Sequence, residues 1–140
     1  MSALPKVKFF GWLVLHKRLW TTARRKWHGL QDHDECALCG QTVETVDHLL
    51  LGCVFTRLLW HALLAPLGLA TLAPDAEDDV TQWWIAKRSV MDKASRPIFD
   101  SVFLLIAWNT WKHRNGIVFV SGTSPDVARA KEESLREAHD

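Results

Sequence analysis

The chain contains no tyrosine, three cysteines and no long hydrophobic run. Each shortage excludes something. Three cysteines in 140 residues cannot build a disulfide framework and point instead to a metal or to free thiols. The longest apolar run, Val102 to Trp108, falls far short of the roughly 20 residues that a bilayer-crossing helix needs. The apolar stretch near the start is interrupted by Lys8 and lacks a cleavage-like site, so no secretory signal is read. A soluble, intracellular protein is expected, in the nucleus or the cytoplasm, with no membrane partner. P-loop, dinucleotide-binding glycine and nucleophile-elbow patterns are all missing, so no small-molecule substrate and no enzymatic activity are expected.

What is present is globular. The hydrophobic fraction is 48% and the charged fraction 24%, which excludes disorder for the bulk of the chain. Eight tryptophans and six phenylalanines carry the aromatic content and supply much buried area to a short sequence. The net charge of +1 conceals a strong segregation. Residues 1–31 carry Lys6, Lys8, Lys17, Arg18, Arg24, Arg25 and Lys26 and no acid; residues 32–48 carry Asp32, Asp34, Glu35, Glu44 and Asp47 and no Lys or Arg. Asp75, Glu77, Asp78 and Asp79 form a second acidic cluster. A basic face that meets an anion is one reading of this pattern, and pairing of the two signs within the fold is the other.

Periodicity predicts an all-α, or nearly all-α, fold of five to seven helices. Pro5 suits a first helical turn, and Val7 to Leu19 is apolar on nearly every face, as a central, buried helix would be. Phe10, Trp12, Val14, Trp60, Phe103 and Trp108 are the expected core. Thr21 or Thr22 caps a short second helix that Gly29 ends. Helical pattern resumes from Glu44 to Leu51 and again from Phe55 to Ala65. Leu69 to Glu77 reads as a linker, Asp78 or Asp79 as the cap of the next helix. A long helix is predicted from Pro97 to Arg114, ending before Asn115–Gly116, with a short extended segment at 117–120. The final charged helix, to about His139, has a thin apolar face and is expected to be exposed or frayed. Three regions follow: a helical module at 1–70 that holds all three cysteines, a helical extension packed on it at 71–120, and the charged helix at 121–140.

The most informative string is Cys36-x2-Cys39-Gly40, with His48 and Cys53 following at x8 and x4. A C-x2-C pair lets two thiolates from one tight turn reach one ion, and Gly40 permits the positive φ of the return. His48 and Cys53 complete a Cys3His tetrahedron, the closed shell of a structural zinc. On an unbroken helix His48 and Cys53 would lie about 140° apart around the axis. The chain must therefore leave α-helix between them, and Gly52 is placed to allow it. Redox activity of the C-x-x-C pair lacks a thioredoxin-like setting, and inert buried thiols are the remaining alternative. His33, Asp34, Glu35 and Asp47 are substitute ligands. His16, His28, His61 and His113 read as surface or helix-end residues.

Taken together, Pro5-Lys-Val-Lys-Phe-Phe-Gly-Trp12, His16-Lys-Arg-Leu19, Thr22, Cys36-x2-Cys39-Gly40, Glu44-x3-His48-Leu49, Cys53 and Trp60 resemble the zinc-binding domain that follows the reverse transcriptase of plant non-LTR (LINE-type) retroelements. The likeness covers residues 5–85, and Trp108-Asn-Thr-Trp111-Lys-His-Arg114-Asn115 with Phe119 is similar to the segment that often follows. It implies one structural Zn2+ and a module that helps a polymerase handle RNA or DNA, in a fragment or a domesticated, free-standing descendant. A palm domain would need an aromatic-x-Asp-Asp motif, and Asp78–Asp79 follow Ala76–Glu77 instead. The candidate nucleic-acid residues are Lys17, Arg18, Arg24, Arg25, Lys26 and Trp27, with Trp20 interleaved; phosphates would pair with the cations and a base would stack on an indole. The opposing reading makes the tryptophans core and the cations helix-end charges. A protein partner docking on the Trp-rich helical surface is the other function class.

Overall fold

The computed structural model describes residues 5–74 and 79–139. They form six α-helices: α1 (Pro5–Leu15), α2 (Thr22–Trp27), α3 (Val54–Leu64), α4 (Val80–Ser89), α5 (Arg96–Phe119) and α6 (Val127–His139). A π-helical turn, His48–Gly52, precedes α3, and two short 3₁₀ turns, Ala65–Leu67 and Ala70–Leu72, follow it. The β pairing among the described residues is a single antiparallel bridge, Glu35 to Val43. The all-α expectation holds.

Local chemistry accounts for the ends. Pro5 opens α1, where its missing N–H costs nothing. Two reverse bonds close that helix: Lys17 N donates to Val14 O at 3.0 Å and Arg18 N to Leu13 O at 2.8 Å. This pattern needs a left-handed residue at its corner, and Lys17 takes that role at φ 56°. Thr21 caps α2 by accepting from Arg24 N, and Asp79 caps α4 by accepting from Gln82 N. The acidic run at 75–78 lies outside the described residues.

The core gathers around Trp60, which is 1% exposed. Trp83 meets it edge-on, with ring centroids 5.5 Å apart, and Phe99 and Phe103 close the cluster. α1 packs against α4 and α5. At Gly11 the approach to α5 is so close that a Cβ would stand 2.7 Å from Leu104 Cδ2.

Several expectations are corrected. α1 buries Phe10, Gly11 and Val14 but turns Phe9 and Trp12 to solvent, so it is a one-sided helix and Trp12 is not core. Trp108 is half-buried, its ring edge-on to Phe10. Glu44 precedes the helical turn instead of starting it. α5 continues through Asn115–Gly116 to Phe119, so the segment at 117–120 is mostly helix. Burial of His113 and Arg114 and the packing of Ile117 against the core outweigh the roughly 1 kcal/mol that a mid-helix glycine costs. α6 is docked, not frayed. It lies on α3 and α5 through Ala130 and Ser134, both fully buried, and such small side chains let helices come close without a strong apolar stripe.

Candidate metal centre

The cysteine pair sits on a hairpin-like knuckle. Cys36 N donates to Thr42 O at 2.8 Å, Gly40 N donates to Cys36 O at 2.8 Å, and Gly40 adopts φ 66°, the left-handed geometry its position requires. The entry to the knuckle is tied to α2: Thr22 Oγ1 lies 2.8 Å from Asp34 O and 2.9 Å from Glu35 O. A loop with few apolar residues is thus ordered by backbone bonds.

The other two ligands come from the π-turn. Cys53 N donates to His48 O at 2.6 Å, an i to i+5 bond that widens the turn by one residue and returns Cys53 to the side of His48. Cys53 then leaves in extended conformation (φ −65°, ψ 135°), placing its sulfur inward as the cap residue of α3. Side chains of α3 satisfy the carbonyls exposed by this irregular turn. Thr56 Oγ1 donates to Leu49 O at 2.6 Å and Trp60 Nε1 to Leu50 O at 3.0 Å. The predicted exit from α-helix is present, and its form is a π-turn ending at Gly52.

One ligand atom from each of Cys36, Cys39, His48 and Cys53 lies within 4.8 Å of the other three. Cys36 Sγ is 3.9 Å from Cys53 Sγ, and Cys39 Sγ is 3.3 Å from His48 Nε2. Neighbouring donors on a zinc tetrahedron stand about 3.5–3.8 Å apart, given Zn–S near 2.3 Å and Zn–N near 2.0 Å. The four residues therefore form a zinc-binding group suited to one structural ion. Contact with Cys53, followed by burial, pushes the Cys36 thiol up to about 12, and the same contact lowers Cys53. Converging thiolates at this spacing repel unless a cation joins them, so metal binding must expel protons. The substitute ligands are engaged elsewhere: Asp34 with Lys26, Asp47 with Lys17, and His33 with Asp32, while Glu35 is exposed.

Glu44 is the residue that sequence reading missed. It is fully buried, yet its carboxylate has four donors. Oε2 accepts from Ala37 N, inside the C-x2-C turn, at 2.8 Å. Oε1 accepts from Thr22 N at 2.9 Å and from Arg114 Nε and Nη2 at 3.1 and 2.7 Å. One carboxylate thus joins the knuckle, α2 and α5. The only available signal was its place in the family-like string Glu44-x3-His48, because a lone glutamate in an acidic stretch normally reads as surface. His113 is likewise buried: it stacks on Phe55, and its Nε2 accepts from Asp126 N at 3.1 Å.

The predicted basic cluster divides. Lys17 bridges Asp47, at 3.2 Å, and Asp79, and the pair of carboxylates (Asp79 foremost) raises its ammonium above 10.5. It fastens the end of α1 to the π-turn and to α4. Lys26 lies 3.5 Å from Asp34. Arg18, Arg24 and Arg25 have no carboxylate partner among the described residues. Arg24 stacks on Trp20 at 3.8 Å and donates to Arg18 O, while Arg25 donates to Gln31 Oε1 at 2.9 Å. Trp27 is 87% exposed.

Residues 1–60 match the family model described as zinc-binding in reverse transcriptase, a span that holds all four ligands. Over that span, less than half of the chain, the sequence is similar to a zinc-binding domain of the reverse-transcriptase type. No curated protein and no solved structure matches the chain. Among the described residues no helix is long and apolar enough to cross a membrane.

Proposed function

We propose that this chain is a zinc-stabilised, non-catalytic nucleic-acid-binding module derived from a LINE-type retroelement reverse transcriptase, acting in the nucleus or cytoplasm where RNA or DNA is handled. The observation that carries the reading is the surface of α2 and the turn before it. Arg18, Arg24 and Arg25 lie there free of carboxylates among the described residues, beside exposed Trp20 and Trp27. Cations without an internal counter-charge attract phosphates, and exposed indoles stack on bases. Four protein donors would fill the shell of a bound zinc and leave no position for a hydrolytic water.

Binding of labelled RNA and DNA across a salt series tests this. The Arg24→Glu/Arg25→Glu double variant should bind all sequences more weakly, with a shallower salt slope. Unchanged affinity would refute the reading. A second reading, docking of a protein partner, is favoured by the exposed Phe9 and Trp12, stacked at 6.3 Å on α1, and by exposed Val118 to Val120 at the end of α5. Such an interface would be far less sensitive to salt.

A further inference from the structure

A groove of about 340 Å³ runs between α1 and α5, with the turn after α1 as its end wall. Phe9 and Lys6 stand on the α1 side, Arg18 and Trp20 on the turn, Trp108 and Trp111 on α5. Its lining is apolar, aromatic or basic, and no acidic residue contributes to it among the described residues. Phe9 is 62% and Trp20 42% exposed. Cations stand over the ring faces nearby: Lys6 Nζ is 5.9 Å from the Trp108 centroid, and the Arg24 guanidinium is 3.8 Å from that of Trp20.

We infer that this groove takes unpaired bases of a single-stranded nucleic acid, the bases against Phe9, Trp20 and Trp111 and the phosphates beside Lys6 and Arg18. The inference rests on the nucleic-acid reading above and extends it to residues of α5, beyond the 1–60 span of the family match. The physical case is one of complementarity. An apolar peptide would leave Lys6 and Arg18 without partners, whereas a strand brings flat apolar faces and negative charge together at one-nucleotide spacing. A duplex hides its base faces, so a slot with aromatic walls gives it nothing to stack on. Continuity adds to this: Arg18 and Trp20 belong both to the groove and to the α2 surface with Arg24.

The test uses the full zinc-loaded chain with 10-nucleotide RNA and DNA single strands, and duplexes of the same sequence, at fixed salt. Single strands should bind more tightly than duplexes and quench tryptophan fluorescence. Phe9→Ala is the cleanest variant because its ring is mostly exposed; it should weaken single-strand binding roughly 5- to 150-fold, the range for loss of one stacked base, and leave duplex binding unchanged. Trp20→Ala should do the same, and Trp20→Phe should restore most of the affinity. If Arg24→Glu/Arg25→Glu abolishes binding while Phe9→Ala and Trp20→Ala do not alter it, the groove assignment falls and the nucleic-acid function stands. If no nucleic acid binds, both fall.

Discussion

Arg114 donates two hydrogen bonds to a single oxygen of Glu44, a residue 70 positions earlier in the chain, and both side chains are almost completely buried. Removing one partner of such a pair strands a charge in a dry interior, at a cost of about 3–5 kcal/mol. Glu44→Gln and Arg114→Met should each destabilise by that amount, and the double variant by clearly less than their sum. Urea denaturation of the four proteins, compared as a double-mutant cycle, measures the coupling. Additive losses would show that the two residues act independently.

Purified without chelator, the protein should carry one zinc per chain by elemental analysis. Stripping the metal, or replacing Cys39 with Ser, should lower the melting temperature and speed hydrogen exchange across residues 36–53. Zinc binding to such sites is worth about 10–16 kcal/mol in apparent terms, which rivals the net stability of a small domain. A melting curve unmoved by demonstrable zinc removal contradicts the structural role.

His113 gives the protein an acid-sensitive joint. Burial holds its pKa below 6.5, and the Arg129 guanidinium adds to this, against partial opposition from Glu133 and Asp126. Its neutral ring accepts from Asp126 N at the start of α6, and Phe55 of α3 covers a face. A depressed histidine contributes stability that is present above the unfolded value and lost as pH falls through the folded one. The melting temperature should therefore decline below about pH 6.5, with α6 the first helix to gain exchange. In His113→Gln, whose side-chain carbonyl can still accept, this component of the decline should disappear.

Lys17 combines a left-handed backbone with two carboxylate contacts, and variants separate the effects. Lys17→Gly removes strain of roughly 1–2 kcal/mol and loses half-exposed ion pairs worth about 0–1 kcal/mol. It should be neutral to slightly stabilising. Lys17→Met keeps the strain and loses the charge, so it should be the less stable of the two by thermal melting.

The sequence made the metal site legible because the constraint was discrete: four ligands at fixed spacings, with His48 and Cys53 five positions apart, a separation that α-helix cannot bring to one face. The helices were legible wherever one local rule dominated, as at Pro5, Thr21 and Asp79. Reading failed where distant residues overrode local preference. Gly116 looked like a stop, but Arg114 is pulled into the interior by Glu44 and carries the helix onward. Ala130 and Ser134 looked too weak to bury a helix, yet their small size is what admits it. Trp12 looked like core because hydrophobicity alone cannot say which side of a uniformly apolar helix faces a neighbour. Lys17 was grouped with the free cations, and only the fold brings Asp47 and Asp79 to it.

The buried carboxylate of Glu44 also sets a limit on modularity. The ligands occupy 18 consecutive positions, 36 to 53, and the family match ends at residue 60, so the segment invites treatment as a transplantable cassette. Its counter-charge is not in the cassette. A version cut before α5 retains an anion whose guanidinium partner has been left behind, and that carboxylate must then admit water or find another cation. Any host that receives the zinc knuckle must also supply a positive charge at the place Arg114 occupies, and any lineage that changes Arg114 is under pressure at Glu44.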